Sequence, residues 1–299
     1  PGRSLSSGMD YGPRPRVGLD WYRAHGLGND YLVAPGGTAL GDGDASWHSG
    51  AAQVQRVCDR QMGVGADGIM VVSGRAQPFE LRAFNPDGSE FERSGNGLRI
   101  VASWLHRVGW VGLDAFKVRI AGDLVSMRVH GHDPRSGTYD VSVEMGRART
   151  GPEAVEMDVG KLAPGLAVLD LVPVSVGNPH AVVWDDGADI DEVGPALATS
   201  AAFAAGTNVQ VARVTDSAAI EIDIWERGVG RTTASGSSSC AAAVAAVLSG
   251  RVPPGDIEVG MAGGLLHVNV NADLDVVLRG PVQAISTGRL DAGFTADLE

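Results

Sequence analysis

Apolar and polar positions alternate in a series of short runs along this chain, and two further stretches carry helical spacing. Alternation with period two marks half-buried strands. It runs from Tyr31 to Val33, Ile69 to Val72, Phe79 to Phe84, Phe116 to Ile120 and Leu124 to Val129. It resumes from Tyr139 to Met145, Ala181 to Trp184 and Val209 to Val214, and Ile220, Ile222 and Ile224 then alternate with Glu221, Asp223 and Trp225. The tail from Leu265 to Leu278 alternates until Gly280-Pro281 breaks it. Helical spacing puts Leu98, Val101, Leu105 and Val108 on one face of a helix that stops at Gly109. A second helix is the alanine-rich run from Cys240 to Leu248, stopped by Gly250 with Pro253 and Pro254 behind it. Gly131-His132-Asp133-Pro134 interrupts the pattern near the middle and reads as the crossing into a second half.

Both helices begin in the same way. A strand leads through Asn85-Pro86-Asp87-Gly88 to Ser94-Gly95-Asn96-Gly97, and another leads through a Gly, Ser and Thr turn to Ser235-Gly236-Ser237. A strand, a small-residue turn and a helix start aim several free backbone N–H groups at one point, which attracts an anion. The plainer reading is an ordinary helix start with serine caps. Each Ser-Gly pair also has a Gly-Asn pair roughly 60 residues upstream, Gly28-Asn29 and Gly177-Asn178. A spacing that recurs at this scale predicts an internal duplication, with two helix starts facing each other across a pseudo-twofold axis.

Six segments carry a family resemblance: His25 to Val33, Cys58 to Val72, Phe84 to Gly97, Val176 to Val183, Thr207 to Gln210 and Trp225 to Ala243. In this order, and from about Tyr22 to about Asp291, the chain resembles diaminopimelate epimerase. The resemblance implies an α/β (α+β) fold of two pseudo-twofold-related domains, each a curved antiparallel sheet or barrel around a central helix. It implies a first domain of 17–133 plus the returning tail 280–299 and a second of 134–279. The leader 1–16, rich in Gly, Pro and Ser, is expected to be mobile and outside the fold.

Composition narrows the partners. The 299 residues are 44% hydrophobic, enough for two cored domains. A net charge of −12 with no Lys/Arg cluster argues against nucleic acid and anionic membrane. No apolar run approaches the roughly 20 residues of a spanning helix. Two cysteines, Cys58 and Cys240, suggest a reducing compartment, by default the cytoplasm, and both read as packing residues. The expected partner is a small amino acid, with no cofactor and no metal, bound by a monomer or homodimer.

The resembled enzymes invert a carbon bearing an amino group and a carboxylate, with thiols as acid and base. The resemblance places those cysteines where this chain has Ser94 and Ser235. A helix start lowers a thiol's pKa, but it cannot close the larger gap for a hydroxyl. Arg93, Ser237, Ser238 and Ser239 also depart from the family's usual choices around those thiols, whereas the substrate-gripping positions match. Gly95, Asn96, Gly236 and Ser237 correspond to the family's backbone donors, and glycine there admits close approach. Asn29, Asn85, Asn178 and Asn208, with Glu226 and Arg227, correspond to its polar clamp on the amino-acid groups. Each asparagine taken alone reads as a turn residue. Glu226 and His180 are candidate acids or bases, and His25 is either that or structural.

Three functions remain open on these residues. One is an isomerase that moves a double bond in an unsaturated amino acid, the task proposed for epimerase-like isomerases of actinobacterial specialised metabolism, including 4-alkylproline pathways. Another is a diaminopimelate epimerase with both cysteines exchanged for serine. The last is a non-catalytic descendant that binds an amino acid. The N-terminal glutamate motif of the phenazine-biosynthesis isomerases is not evident.

Overall fold

The computed structural model describes residues 20–36, 50–184, 187–291 and 294, so the leader expected over 1–16 lies outside the described residues. The first half contains β1 (Asp20–Gly26), β2 (Asn29–Pro35), α1 (Ala51–Cys58), β3 (Ile69–Ser73) and β4 (Phe79–Phe84). It continues with α2 (Gly95–Arg107), β5 (Phe116–Ile120), β6 (Asp123–Asp133) and β7 (Thr138–Arg147). A two-residue strand, β8 (Arg149–Thr150), carries β7 onward past Ala148. The second half contains β9 (Leu171–Ser175), β10 (Pro179–Val183), α3 (Ile190–Ala198), β11 (Asn208–Asp216) and β12 (Ala219–Glu226). After β13 (Gly230–Thr232) come α4 (Gly236–Leu248), β14 (Gly255–Met261), β15 (Gly264–Val270) and β16 (Asp275–Arg289).

The pairings carry the duplication. β1 and β2 are antiparallel, β2 and β3 parallel, β3 and β4 antiparallel, β4 and β5 parallel, then β5, β6 and β7 antiparallel. The same series recurs through β9, β10, β11, β12, β14, β15 and β16. The sheets are thus mixed: a parallel neighbour needs a crossover, and each of the four parallel pairs has a helix in its connection. β7 and β16 pair with each other and join the halves. The end of β16, Gln283 to Arg289, pairs with β1 and closes an eight-stranded barrel. β8 stands to β9 as the end of β16 stands to β1.

Two expectations are corrected. Gly131 to Pro134 does not separate the halves; it leads into the turn of the β6–β7 hairpin, where Asp133 pairs with Thr138. Gly280-Pro281 does not end a strand either, because β16 runs through it. β15 leaves β16 after Arg279 and β1 joins at Gln283, so on that edge Pro281 has no ladder partner to lose.

Each half wraps a helix. The pattern gave α2 one apolar face, yet every residue from Gly95 to Leu105 is buried, because the barrel surrounds it. α4 is built from Gly, Ser, Cys and Ala over its first turns, so its backbone can pack closely on all sides. Leu98, Val101 and Leu105 of α2, Ala241 to Ala246 of α4 and Leu278 of β16 belong to one continuous core.

Candidate active site

Ser94 and Ser235 are extended residues that cap the two central helices. Ser94 Oγ accepts the Gly97 N–H at 3.0 Å and its carbonyl accepts Leu98 N–H at 2.9 Å. Ser235 Oγ accepts Ser238 N–H at 3.4 Å and its carbonyl accepts Ser239 N–H at 3.1 Å. The plainer reading of the serines is therefore correct as far as it goes. It leaves the N–H groups of Gly95, Asn96, Gly236 and Ser237 with no acceptor among the described residues.

These helix starts meet. A Cβ placed on Gly236 would sit 3.9 Å from Gly95 Cα, 3.7 Å from Asn96 Oδ1 and 2.9 Å from Leu278 Cδ2. A Cβ on Gly95 would lie 2.7 Å from that same Leu278 atom. One leucine thus floors both helix ends, and only glycine fits above it. The two helix starts expected to face each other do meet, with their free N–H groups at one gap.

The surroundings of the two serines differ. Glu226, nine residues before Ser235 at the end of β12, is raised above its ordinary range by burial, an effect the Ser235 hydroxyl partly offsets. The position nine residues before Ser94 is Asn85, a neutral amide held in its own turn. Asn85 Nδ2 donates to Ser89 Oγ at 2.9 Å, and Asn85 N–H donates to Ser89 O at 2.8 Å. Beside Ser94 stands the buried Tyr31 phenol, which burial pushes up to about 12. The Ser94 hydroxyl works against that shift, while the charges of Asp67 and Glu226 add to it. Glu226 is thus felt across the gap between the helix starts.

His180 is fully buried, and burial pulls its pKa down to about 4. Its Nδ1 lies 3.3 Å from Gln210 Oε1 and its Nε2 lies 3.0 Å from the Asn178 amide, at Oδ1. Gln210 Nε2 donates to Ser238 Oγ at 3.0 Å, which makes its Oε1 the acceptor of the Nδ1 proton. A neutral imidazole has only one N–H, so Asn178 must present its NH2 group to Nε2. Both ring nitrogens are engaged, and neither bonds a serine. His25 Nδ1 accepts the Gly28 N–H at 3.1 Å, a turn contact.

The polar clamp forms two groups. In the first half, Asn96 Nδ2 donates to Asn29 Oδ1 at 3.0 Å, and Asn29 Nδ2 donates to Asp67 Oδ2 at 3.0 Å. In the second, Asn208 Nδ2 donates to Pro179 O at 3.0 Å, and Arg227 N–H donates to Asn208 Oδ1 at 3.0 Å. The Arg227 side chain is exposed and donates to Ala205 O.

A sequence profile described as diaminopimelate epimerase matches residues 21–151 and 172–285. The chain belongs to the diaminopimelate epimerase family. It is 36% identical over 287 residues to a diaminopimelate epimerase of Desulforudis audaxviator, covering 91% of this chain and 99% of that one. Diaminopimelate epimerase 2 of a Nostoc species is 34% identical, covering 93% and 98%. By descent, then, the chain is an isomerase of a family that needs no cofactor. A hydroxyproline epimerase from Agrobacterium vitis, solved with trans-4-hydroxy-L-proline, shares the fold at 13% identity and a TM-score of 0.63, covering 93% of this chain and 92% of that one. A methylitaconate-delta-isomerase shares it at 12% identity and a TM-score of 0.57, covering 92% and 95%.

The two helix starts, Ser94 to Asn96 and Ser235 to Ser237, thus meet at one gap, with Glu226 beside Ser235 and Asn29 held by Asn96. Asn85, Asn178 and Asn208 make contacts within their own halves. Cys58 and Cys240 are buried, with thiols pushed up to about 12, and they pack as expected. Sequence reading passed over Tyr31, which it treated as a strand residue inside a motif. It also passed over Arg99, on a helix face that the apolar spacing assigned to solvent.

Proposed function

We propose that this family member shifts a carbon–carbon double bond in an unsaturated amino acid, using one base on one face of the substrate. The observation that carries the reading is that both helix starts present hydroxyls, Ser94 and Ser235, where the family has its two thiols, and that one carboxyl, Glu226, stands beside Ser235. Inversion at carbon needs an acid or base on each face. On the Ser94 side stand a hydroxyl and a phenol raised to about 12, and in the other half His180 is engaged on both nitrogens. None of these is a ready proton acceptor near neutral pH.

An allylic shift needs only one such group. The substrate carboxylate lies at the N–H groups of Gly95, Asn96, Gly236 and Ser237, which also hold the negative charge that develops there. Glu226 takes the proton from Cα, and the electron pair enters the conjugated system. The resulting carboxylic acid returns a proton to the γ-carbon, so Glu226 ends as it began. Asn29 holds the amino group at the gap, Asn85, Asn178, Asn208, Arg227 and His180 position the loops around it, and the reaction takes place in the cytoplasm.

The relatives' names favour a second reading, epimerisation of diaminopimelate itself, and one experiment separates the two. In heavy water the allylic shift places at most one deuterium, at the newly protonated carbon, and the recovered substrate keeps its Cα configuration. LL- and meso-diaminopimelate remain unchanged. Interconversion of those two stereoisomers with Cα labelling would reject the one-base reading.

A further inference from the structure

Arg99 lies one turn into α2, and among the described residues it is the largest side chain to be fully buried. A buried guanidinium ordinarily has a carboxylate beside it, because a desolvated charge is costly unless compensated. Arg99 has none. Its Nη2 donates to Asn96 Oδ1 at 2.5 Å, while Nε and Nη1 meet no acceptor among the described residues. Asp140 acts on it only at a distance and is itself bound to Arg279. Burial pulls the Arg99 pKa down to about 10, which leaves it charged at neutral pH.

Two glycines make room for this charge. A Cβ on Gly280 would fall 2.2 Å from Nη1, and one on Gly26 would fall 2.9 Å from Nη2. The charge is also close to the helix starts. Asn96 Oδ1, its one partner, lies 3.7 Å from the Cβ position of Gly236, and Asn96 Nδ2 holds Asn29. One amide separates the guanidinium from the gap between the helices.

We infer that Arg99 is a positioning residue whose fixed charge, acting through Asn96, completes the anion site between the two helix starts, so that a bound carboxylate is its missing counter-ion. This rests on the reading of those helix starts as the carboxylate site. The protein keeps an uncompensated cation at some cost when empty and recovers part of that cost on binding. Removing the charge should therefore weaken anion binding without weakening the fold. An arginine needed only for packing would do the reverse.

The test uses the full chain and two variants, Arg99→Met and Arg99→Lys. Melting is followed while acetate, and separately sulfate, is titrated at constant ionic strength, since an anion that binds only the folded state raises the midpoint in a saturable way. The expected result is that Arg99→Met binds acetate about tenfold or more weakly, as the loss of a charge at this range in the interior implies. Without anion, Arg99→Met should melt no lower than the parent. Arg99→Lys should keep most of the affinity at neutral pH and, as pH rises, lose it at lower pH than the parent does, because a lysine starts from a lower ordinary pKa and the same burial lowers it further. If Arg99→Met does not fold, the lysine variant decides alone, and a pH-independent affinity there overturns the inference. Equal acetate affinity in the parent and Arg99→Met overturns the role of Arg99 and leaves the helix-start site standing. No saturable response in the parent overturns the site itself.

Discussion

Replacing Glu226 with glutamine and Ser94 with alanine, separately, tests the one-sided site most directly. Ser94→Ala removes the hydroxyl that caps Gly97 N–H at 3.0 Å, so the fold loses about 1 kcal/mol. In the reaction it removes a neutral hydrogen bond, again about 1 kcal/mol, roughly a fivefold loss of rate. Glu226→Gln removes the only base placed for the carbon proton, a loss of about 10²- to 10⁴-fold, or about 3 to 5 kcal/mol of barrier. The fold does not share that loss. Burial raises the Glu226 pKa, so its charged form is the one the folded state disfavours. That cost is present at any pH above the raised value and disappears as pH falls below the ordinary one, so the neutral amide folds at least as well at pH 7. The assay is proton NMR of carbon-bound hydrogen exchange in heavy water, with kcat followed against pH. Activity of the parent should rise through a limb above the ordinary glutamate range and be flat above it. Equal losses in the two variants would refute the asymmetry and restore a base on each face.

Two further outcomes follow from the same site. His180 is held neutral with a pKa of about 4, against 6.5 when unfolded, so the unfolded state binds the extra proton first as pH falls. Stability should decline between about pH 6.5 and 4, by on the order of 3 kcal/mol in urea titrations, and His180→Gln should lose that dependence; a parent with flat stability over this window would contradict the burial argument. Cys58 and Cys240 are buried with thiols pushed up to about 12, so the native protein should resist iodoacetamide at pH 8. A cysteine at position 94 or 235, made by Ser94→Cys or Ser235→Cys, caps a helix start and should label at once; slow labelling of both would argue against the electropositive helix ends.

The sequence by itself determined the duplication, the two serine-glycine helix starts and the family. Each of these is written in local spacing: period two in the strands, a Ser-Gly pair before each helix, and Asn85 and Glu226 each nine residues ahead of their serine. Such signals survive because backbone geometry and capping act over a few residues. The strand continuity through Gly280-Pro281 was not legible, since it depends on where β15 leaves and β1 arrives, both distant in the chain. Only the tertiary structure decided that α2 is buried all round, because a barrel closed by β1 and β16 encloses a face that spacing alone assigns to solvent. That enclosure makes Arg99 a buried cation and sets Tyr31 against Ser94, while the second half holds His180 between two amides. Burial, charge and the meeting of Gly95 with Gly236 over Leu278 are properties of contacts between segments far apart in sequence. No run of adjacent residues encodes them.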